Sequence, residues 1–502
     1  MMCPPLYEGK DKDAKKQTKL RFKPKGTEAG GSLAKHSFSQ EKCRSALAKM
    51  CIKDNRPFSI VDDEGFKEFV WELNSVFKMT SRRTIARECI EIYKEEAKKV
   101  KEMLKGQTVC LTTDTWSSVQ NVNYMCLTAH WIDDAWVLQK KILNFCSIEN
   151  HRGETIGSLV YECIQKWGIE TLFTVTVDNA SSNDGAIRYL KRMLKGPNDI
   201  LDCKYFHLHC VDHVEVKSKQ KSSLDVDTRW NLTYLMLEIA TLLMGLIFPP
   251  RRMTMWMGAQ EKGKERLKNL IEYLKIFSDV TTKISGSKYA TTNIFFPTTI
   301  TKMTLSQVDK KKNMEISMKA KYDNYLDIVD NVNYLLYVAV VLDPHNKLGY
   351  VTYCIELIYG KGSVKSKKIL GLEQYIKSEV EIYLADGREK RDNKFNLLGW
   401  WKVNSIKFPI FSTLARHVLA MPISTAASES AFSTCGRVID KYRRSPNPDT
   451  TKVLICVQDW IRCLLVDLEL GCAMKSKEID EFNEKMAGLK IGSFCQVVNL
   501  KN

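Results

Sequence analysis

The amino-acid sequence predicts a mixed α/β sheet with helical segments before and after it, and three observations support this fold class. Apolar residues repeat at helical spacing from Gln40 to Leu104. From residue 107 to residue 146 the repeat changes to the two-residue period of strands. Helical periodicity then dominates from Asp225 to Asp467. A chain of 502 residues is long enough to bury two or three such domains.

The composition is typical of a folded protein with a polyanionic partner. Apolar residues make up 44% and charged residues 27% of the chain, which excludes the disordered class. The net charge of +17 favours nucleic acid as a partner, although solvated Lys and Arg side chains give the same total. The 16 cysteines form no Cys-x-x-Cys pair, which indicates free thiols in a reducing compartment. Because no apolar run approaches ~18 residues, we expect a nuclear or cytosolic protein without a membrane partner.

Two segments precede the predicted sheet. Residues 1–36 carry a basic run between Lys10 and Lys25, which predicts a disordered tail that also serves as a nuclear-localisation or phosphate-contacting arm. Residues 37–105 form a helical N-terminal module, in which Ser81 caps a long charged helix through Ala97.

Residues 106–215 are predicted to alternate between strands and helices. Asp133-Asp134 has the composition of a tight turn between the second and third strands. A three-stranded meander followed by helix, strand, helix and strand is the order of an RNase H-like sheet, although other mixed α/β folds begin similarly. The predicted strands are Gln107–Thr113, Asn123–Ile132, Ala135–Cys146, Leu172–Val177 and Lys204–His209, and the predicted helices are Glu154–Trp167 and Asp184–Leu194.

The remaining chain divides into a helical segment, 216–390, a second helical block, 391–470, and a charged tail, 471–502. Within the second block a helix is predicted to begin at Ser424–Ala427 and to break at Gly436. A basic patch follows, and then an apolar helix from Thr451 to Trp460. The basic patch consists of Lys441, Arg443 and Arg444.

Three acids are candidate metal ligands. Glu429 lies on an otherwise apolar helix and needs a partner, because an unpaired buried carboxylate is costly. Asp114 and Asp178 each follow a predicted strand, so both carboxylates are expected over one edge of the sheet. Together the three acids would hold Mg²⁺ or Mn²⁺ for in-line attack on a phosphodiester. The alternative for each aspartate alone is an Asx turn or a helix cap.

Some of the other polar and aromatic residues near these acids have two interpretations. Trp116, and Trp230 with Arg229, are candidates for stacking on unpaired bases. For Trp230 the alternative is a residue at a helix start that is buried in the core. The segment FHLHCVDH contributes a histidine and cysteine cluster, but one Cys-x-x-His pair lacks the second pair of a structural zinc site. We therefore expect a partly buried histidine cluster without zinc. Its members are His207, His209, Cys210 and His213.

Several motifs resemble the hAT-superfamily transposases, in particular the Ac-like plant branch that includes the SLEEPER-type BED zinc finger proteins. The resemblance runs from Lys42 to Arg462, and its most specific part is the segment from Pro422 to Val438. The motifs are TTDTW, VDNASSND, FHLHCVDH, TRWNLTYLML, LDPHNKL and PISTAASESAFSTCGRV.

The resemblance implies an RNase H-like catalytic core interrupted by a helical insertion domain, and cut-and-paste DNA cleavage with hairpins on the flanking DNA. Asp114, Asp178 and Glu429 match the acidic triad. Trp116, Trp230 and the Cys210/His213 pair match residues around the DNA end, which makes them DNA-binding candidates together with Arg229 and the basic patch. The C-terminal block matches the dimerisation region, whose candidate residues are Phe408, Leu414, Leu419, Phe432, Val453, Leu454 and Trp460.

Three departures from the family pattern weaken the expectation of catalysis. Only Cys3 precedes Cys43, so no BED zinc finger is expected in this sequence. The chain passes from His213 almost directly to Asp225, so the insertion domain is shortened at its start, and the basic residue of the LDP motif is His345. A displacement of about 1 Å in an active site can cost ~10²-fold in rate.

The sequence therefore predicts a domesticated or degenerate transposase-derived nuclear protein. It would bind DNA, self-associate or pair with related hAT proteins, and take no small-molecule substrate. The alternatives are an active Mg²⁺-dependent transposase and a scaffold that only captures relatives.

Overall fold

The fold is taken from a computed structural model, which describes residues 19–22, 33–36, 38–118, 120–194, 205–210, 271, 275, 281–286, 288–294, 333–359, 379–390, 395–438 and 447–469. The chain divides into two compact units, Met1–Ile92 and Tyr93–Asn502. Most of the predicted insertion domain lies outside the described residues.

In the part that the structure describes, the first unit contains a hairpin, two α-helices, a 3₁₀ helix and the first part of a 23-residue helix that continues past Ile92. Strands β1 (Lys19–Phe22) and β2 (Leu33–His36) pair antiparallel, a hairpin that the prediction of a tail did not include. Helix α1 begins after Ser39, whose hydroxyl accepts a hydrogen bond from the Lys42 backbone N–H. The elements that follow are α1 (Gln40–Lys53), a 3₁₀ helix (Phe58–Asp62), α2 (Glu64–Leu73) and α3 (Arg82–Leu104). The last of these begins directly after Ser81, as predicted, and continues beyond Ala97.

The second unit is organised around one five-stranded sheet. Its strands are β3 (Thr108–Ser117), β4 (Asn123–Ile132), β5 (Leu138–Ile148), β6 (Thr171–Val177) and β7 (His207–His209), in the order β5-β4-β3-β6-β7. Strands β3 to β5 form an antiparallel meander, while β6 and β7 run parallel to β3. All five predicted strands are present, and their order is the predicted RNase H-like one.

Two helices connect the parallel strands and cross at glycines. Helix α4 (Gly153–Trp167) and helix α5 (Ser181–Met193) match the two helices predicted between the strands. A Cβ on Gly153 would lie 2.7 Å from the Gly185 Cα, so the two backbones approach too closely for a side chain. This crossing fixes the start of α5, which follows β6 directly.

Strand β5 is the outer strand of the sheet, and side chains cover its backbone around a β-bulge at Leu143. The Trp167 indole N–H donates to the Leu143 carbonyl at 3.1 Å. The Trp460 indole N–H donates to the Ile142 carbonyl at 2.9 Å, and the Ile142 N–H donates to the Asp459 carboxylate at 2.8 Å. The backbone groups released by the bulge are therefore satisfied by the flanking helices.

The C-terminal half contributes seven described helices. One aromatic cluster joins several of them: Tyr383 stacks on Trp401 at 5.6 Å, and the Trp401 indole donates to the Leu342 carbonyl. The helices are α6 (Leu335–Val341), α7 (Lys347–Tyr359), α8 (Glu379–Ala385), α9 (Leu397–Asn404), α10 (Pro409–Leu419), α11 (Ala426–Val438) and α12 (Pro448–Glu469).

The predicted break at Gly436 is wrong, because α11 continues through this glycine to Val438. A single glycine inside a helix costs only about 1 kcal/mol relative to alanine, which packing of α11 on β3 and β4 offsets. Within the described part of the chain, no helix combines the length and apolar character needed to cross a membrane.

Candidate carboxylate site at the end of the sheet

Asp114 and Asp178 occupy equivalent positions on neighbouring parallel strands. Thr112 of β3 is paired with Thr176 of β6, and each aspartate lies two residues further along its strand. Because parallel strands end at the same edge of a sheet, the two acids lie side by side there. The register supports the placement that the sequence predicted for these two residues.

Both aspartates have local hydrogen-bond partners. Asp114 is only 7% exposed, and its carboxylate accepts from the Thr115 backbone N–H at 2.7 Å. The Asp178 carboxylate accepts from the Ala180 N–H at 3.0 Å and from the Asn183 side-chain amide. Asp178 therefore forms the Asx turn that leads into α5, which was the alternative interpretation of this residue.

Glu429 lies on the first turn of α11, which packs on β3 and β4. The Trp116 and Phe432 rings stack with centroids 5.8 Å apart. Trp116 is two residues from Asp114 on one face of β3, and Phe432 is one helical turn from Glu429, so this stack brings the two acids to the same region. Glu429 is half-buried.

The three carboxylates do not form one compact ligand group. Among the described residues, one set of three His, Cys, Asp or Glu ligand atoms lies mutually within 4.8 Å, and it comprises Asp184, His207 and His209 instead of Asp114, Asp178 and Glu429. Carboxylate oxygens are the ligands that Mg²⁺ prefers, so the donor chemistry of the triad fits this ion. The Asp178 carboxylate accepts both of its hydrogen bonds at Oδ1, so its other oxygen is the one that would face a metal.

Buried thiols surround the site and remain protonated. Burial raises the pKa of Cys126, which pairs with Asp114 across β3 and β4, to about 12. Burial also raises the pKa of Cys435 on α11 to about 12. These two cysteines are therefore neutral thiols at neutral pH.

Cys210 is buried completely next to the start of α11, and its contact with DNA stays a prediction. Its sulfur accepts hydrogen bonds from the Thr425 backbone N–H and from the Thr425 hydroxyl, both at 3.3 Å. The Thr425 carbonyl in turn accepts from the Glu429 N–H at 3.2 Å. Cys210 thus connects the end of β7 to the start of the helix that carries Glu429.

Trp116 is part of an aromatic cluster instead of an open stacking platform. Besides Phe432 it stacks on Tyr124 at 6.2 Å, and Tyr124 stacks on Phe145 at 5.3 Å. The Trp116 indole is half-buried. The other DNA-binding candidates lie outside the described residues: His213, Arg229, Trp230, Lys441, Arg443 and Arg444.

The sequence indicated His207 and His209 as part of a histidine cluster, but it did not indicate that Asp184 lies beside them as a third possible ligand. Burial, and then the neighbouring His209 and Lys191, lower the pKa of His207 to about 3. Burial lowers the pKa of His209 as well. The signal in the sequence was a His-x-His pattern on strand β7, together with Asp184 in the first turn of α5, the helix that follows the neighbouring strand β6.

Most of the predicted dimerisation residues are buried within the chain itself. In the single chain these side chains pack into its own core, and their role in dimerisation stays a prediction. Leu414 and Leu454 are half-buried. The buried residues are Phe408, Leu419, Phe432, Val453 and Trp460.

A different set of apolar side chains in the same region is exposed, and we call it the apolar patch: Ile382, Val403, Ile406 and Ile410. Ile406 is 91% exposed and Ile410 is 77% exposed. The Glu379 carboxylate accepts from the Phe411 N–H at 2.9 Å, and Asp386 pairs with Lys407 at 2.5 Å. These two contacts hold α8, with Ile382, against the turn that carries Ile406.

Comparisons with known proteins agree with the fold. Residues 112–205 match the ZBED1 RNase-like domain, and residues 294–383 match the family described as hAT-like transposase, RNase-H fold. Residues 379–461 match the hAT family C-terminal dimerisation region.

Relatives of the same superfamily align along most of the chain. It is 29% identical over 82% of its length to the Zea mays protein named "Putative AC transposase", of which it spans 64%. It is 27% identical over 85% of its length to the zinc finger BED domain-containing protein DAYSLEEPER of Arabidopsis thaliana, of which it spans 74%. It is 24% identical over 86% of its length to RICESLEEPER 2 of Oryza sativa subsp. japonica, of which it spans 76%. The chain is therefore similar to hAT-superfamily transposases in two regions, an RNase-H-fold region and the C-terminal dimerisation region that follows it.

Proposed function

We propose that this chain is a transposase-derived nuclear protein that binds DNA and self-associates through its C-terminal region, without transposase catalysis. The observation that carries the proposal is that the exposed apolar patch lies inside residues 379–461, the segment that matches the dimerisation region. Exposed apolar side chains grouped on one surface are typical of protein interfaces.

The patch suits a second copy of the chain because the side chains under it are fixed. Phe408 and Phe411, next to Ile406 and Ile410, are buried in the aromatic cluster around Tyr383. The outward isoleucines are thereby presented on a rigid support, which lowers the entropic cost of association.

Sedimentation of the full chain tests self-association. Replacing Ile406 and Ile410 by glutamate places charges in the interface and should raise the dissociation constant more than about tenfold. The matched control is Val137→Glu, which changes a 47% exposed apolar residue in the β4–β5 turn. A double variant that associates as tightly as the control would contradict the role of the patch. Mixing with a related hAT protein in the same experiment tests hetero-pairing.

DNA binding is supported by the net charge of +17 and is proposed to be mainly electrostatic. The affinity for duplex DNA should then fall steeply with salt. Replacing Lys441, Arg443 and Arg444 by alanine should reduce the salt slope by about 0.9 for each phosphate that these side chains neutralise in the wild-type complex. An affinity that does not change with salt would contradict an electrostatic interface.

Loss of catalysis is supported by the turn that holds Asp178. The turn orients this carboxylate through two hydrogen bonds to Oδ1, and Asp178 does not join Asp114 and Glu429 in a set of ligand atoms within 4.8 Å of one another. The second candidate function is an active transposase, which the register of Asp114 and Asp178 favours. In that case the three acids would hold Mg²⁺ or Mn²⁺, which would activate water or a 3′-hydroxyl.

A nicking assay on a hairpin-end DNA substrate separates the two. We expect no Mg²⁺-dependent product from the full chain. Metal-dependent nicking that Asp114→Ala abolishes, with DNA affinity retained, would refute the loss of catalysis.

Nuclear localisation is proposed from the basic run between Lys10 and Lys25. A fluorescent fusion should accumulate in nuclei, and replacing the lysines of this run by alanine should reduce that accumulation. A cytosolic wild-type fusion would contradict the proposal.

A further inference from the structure

We propose that Asp184, His207 and His209 form a binding site for one transition-metal ion of the zinc class, separate from the three-carboxylate site. One ligand atom from each residue lies within 4.8 Å of the other two. His207 and His209 alternate along β7, so both imidazoles point to the same face of this edge strand. Asp184 approaches from the first turn of α5.

The contacts of the two imidazoles point to a ligand. The ring centroids lie only 4.1 Å apart. The Nε2 atom of His207 is buried and has no hydrogen-bond partner among the described residues. A buried polar atom without a partner is costly, and coordination of a cation would remove that cost. This orphaned nitrogen is an observation independent of the clustering.

The donor set selects the class of metal. Two imidazole nitrogens and one carboxylate oxygen suit Zn²⁺, Co²⁺ or Ni²⁺ better than Mg²⁺, which prefers oxygen alone. With metal–nitrogen bonds of 2.0–2.1 Å, tetrahedral ligands lie about 3.3 Å apart. The side chains of Asp184 and His209 are exposed, so small rotations can bring ligand atoms that now lie within 4.8 Å of one another to this shorter separation. Three protein ligands leave a fourth position for water or a phosphate oxygen.

The bound ion would hold a short strand in place. Strand β7 has only three residues, and its hydrogen bonding to β6 ends where the Cys210 N–H donates to the Val177 carbonyl at 2.7 Å. A metal bridging β7 and α5 would fix this end of the strand. Through the contact of Cys210 with Thr425, it would also stabilise the start of α11.

Titration of the metal-free full chain with Co²⁺, followed by its visible absorption and by displacement with Zn²⁺, tests the site. We expect one Co²⁺ per chain in a spectrum typical of nitrogen and oxygen ligands. His209→Ala and Asp184→Asn, both at exposed positions, should weaken binding more than about tenfold. The matched control is His151→Ala, an exposed histidine hydrogen-bonded to Thr115.

Thermal unfolding provides a second measurement. Zn²⁺ should raise the Tm of the wild-type chain and of His151→Ala, and leave the Tm of His209→Ala unchanged. A wild-type chain that binds no Co²⁺, or a His209→Ala variant whose spectrum and stoichiometry equal those of the wild type, would overturn the proposal. The outcome does not depend on DNA binding, self-association or Mg²⁺-dependent nicking.

Discussion

Trp460 should stabilise the chain itself instead of an interface between chains. Its indole is 1% exposed, stacks on Tyr93 at 5.2 Å and contacts Trp167 edge-on at 5.9 Å. Truncation of such a residue in Trp460→Ala should lower the free energy of unfolding by about 3–5 kcal/mol. Trp460→Phe keeps a ring in place but loses the hydrogen bond to the Ile142 carbonyl, which leaves that carbonyl unsatisfied and costs about 1–3 kcal/mol.

Urea unfolding followed by circular dichroism measures both changes. The comparison is made at two protein concentrations a factor of ten apart, because a residue buried only by association would lose its effect on dilution. We expect the same loss at both concentrations, and unchanged sedimentation of the folded variant. A loss below about 1 kcal/mol, or one that disappears on dilution, would refute the assignment of Trp460 to the core of the chain.

Three further predictions concern other parts of the sheet unit. Burial lowers the pKa of His130 to about 3, so between pH 6.5 and pH 3 this residue takes up a proton only in the unfolded chain. The free energy of unfolding should therefore fall with decreasing pH by up to about 1.4 kcal/mol per pH unit, and His130→Asn should reduce this slope in urea titrations at pH 7 and pH 5. Cys210→Ala removes the acceptor for the Thr425 N–H at the start of α11 and should lower the free energy of unfolding in urea by about 1–3 kcal/mol. Cys43→Ala, at a half-buried position, should lower it by less, and equal losses for the two variants would contradict this role of Cys210. Gly153→Ala should separate α4 from α5 and lower the Tm by several degrees, whereas Gly65→Ala, with no atom within 4 Å of its added Cβ, should not; equal Tm values would contradict the close crossing.

The sheet was predictable because its strands carry a strong local signal. Residues 123–132 are rich in residue types that favour strands, such as Tyr, Thr and Trp. The turn after them is fixed by the Asp133 side chain, which accepts from the Ala135 and Val137 N–H groups. The end of α11 was not predictable in this way. Gly436 has the composition of a break, but tertiary packing decides whether a helix continues through a glycine.

The order of the strands was enough to predict which residues lie near one another in the candidate site. Asp114 and Asp178 are neighbours because β3 and β6 are parallel, which follows from the order of the elements. The partners of their side chains were not predictable, since the two hydrogen bonds of Asp178 depend on the turn geometry before α5. Likewise, an apolar residue such as Trp460 has the same sequence signature whether it packs within one chain or between two.

The covering of β5 by Trp167, Asp459 and Trp460 limits the routes to aggregation. An open outer strand offers free backbone groups to the strands of other molecules. Here, at the bulge, the Ile142 N–H and the Ile142 and Leu143 carbonyls are bonded to side chains of α4 and α12. Before a strand of another molecule could pair with β5 at that point, α12 would have to detach from it. Loss of Trp460 should therefore make the protein prone to form β-rich aggregates on storage, in addition to lowering its stability.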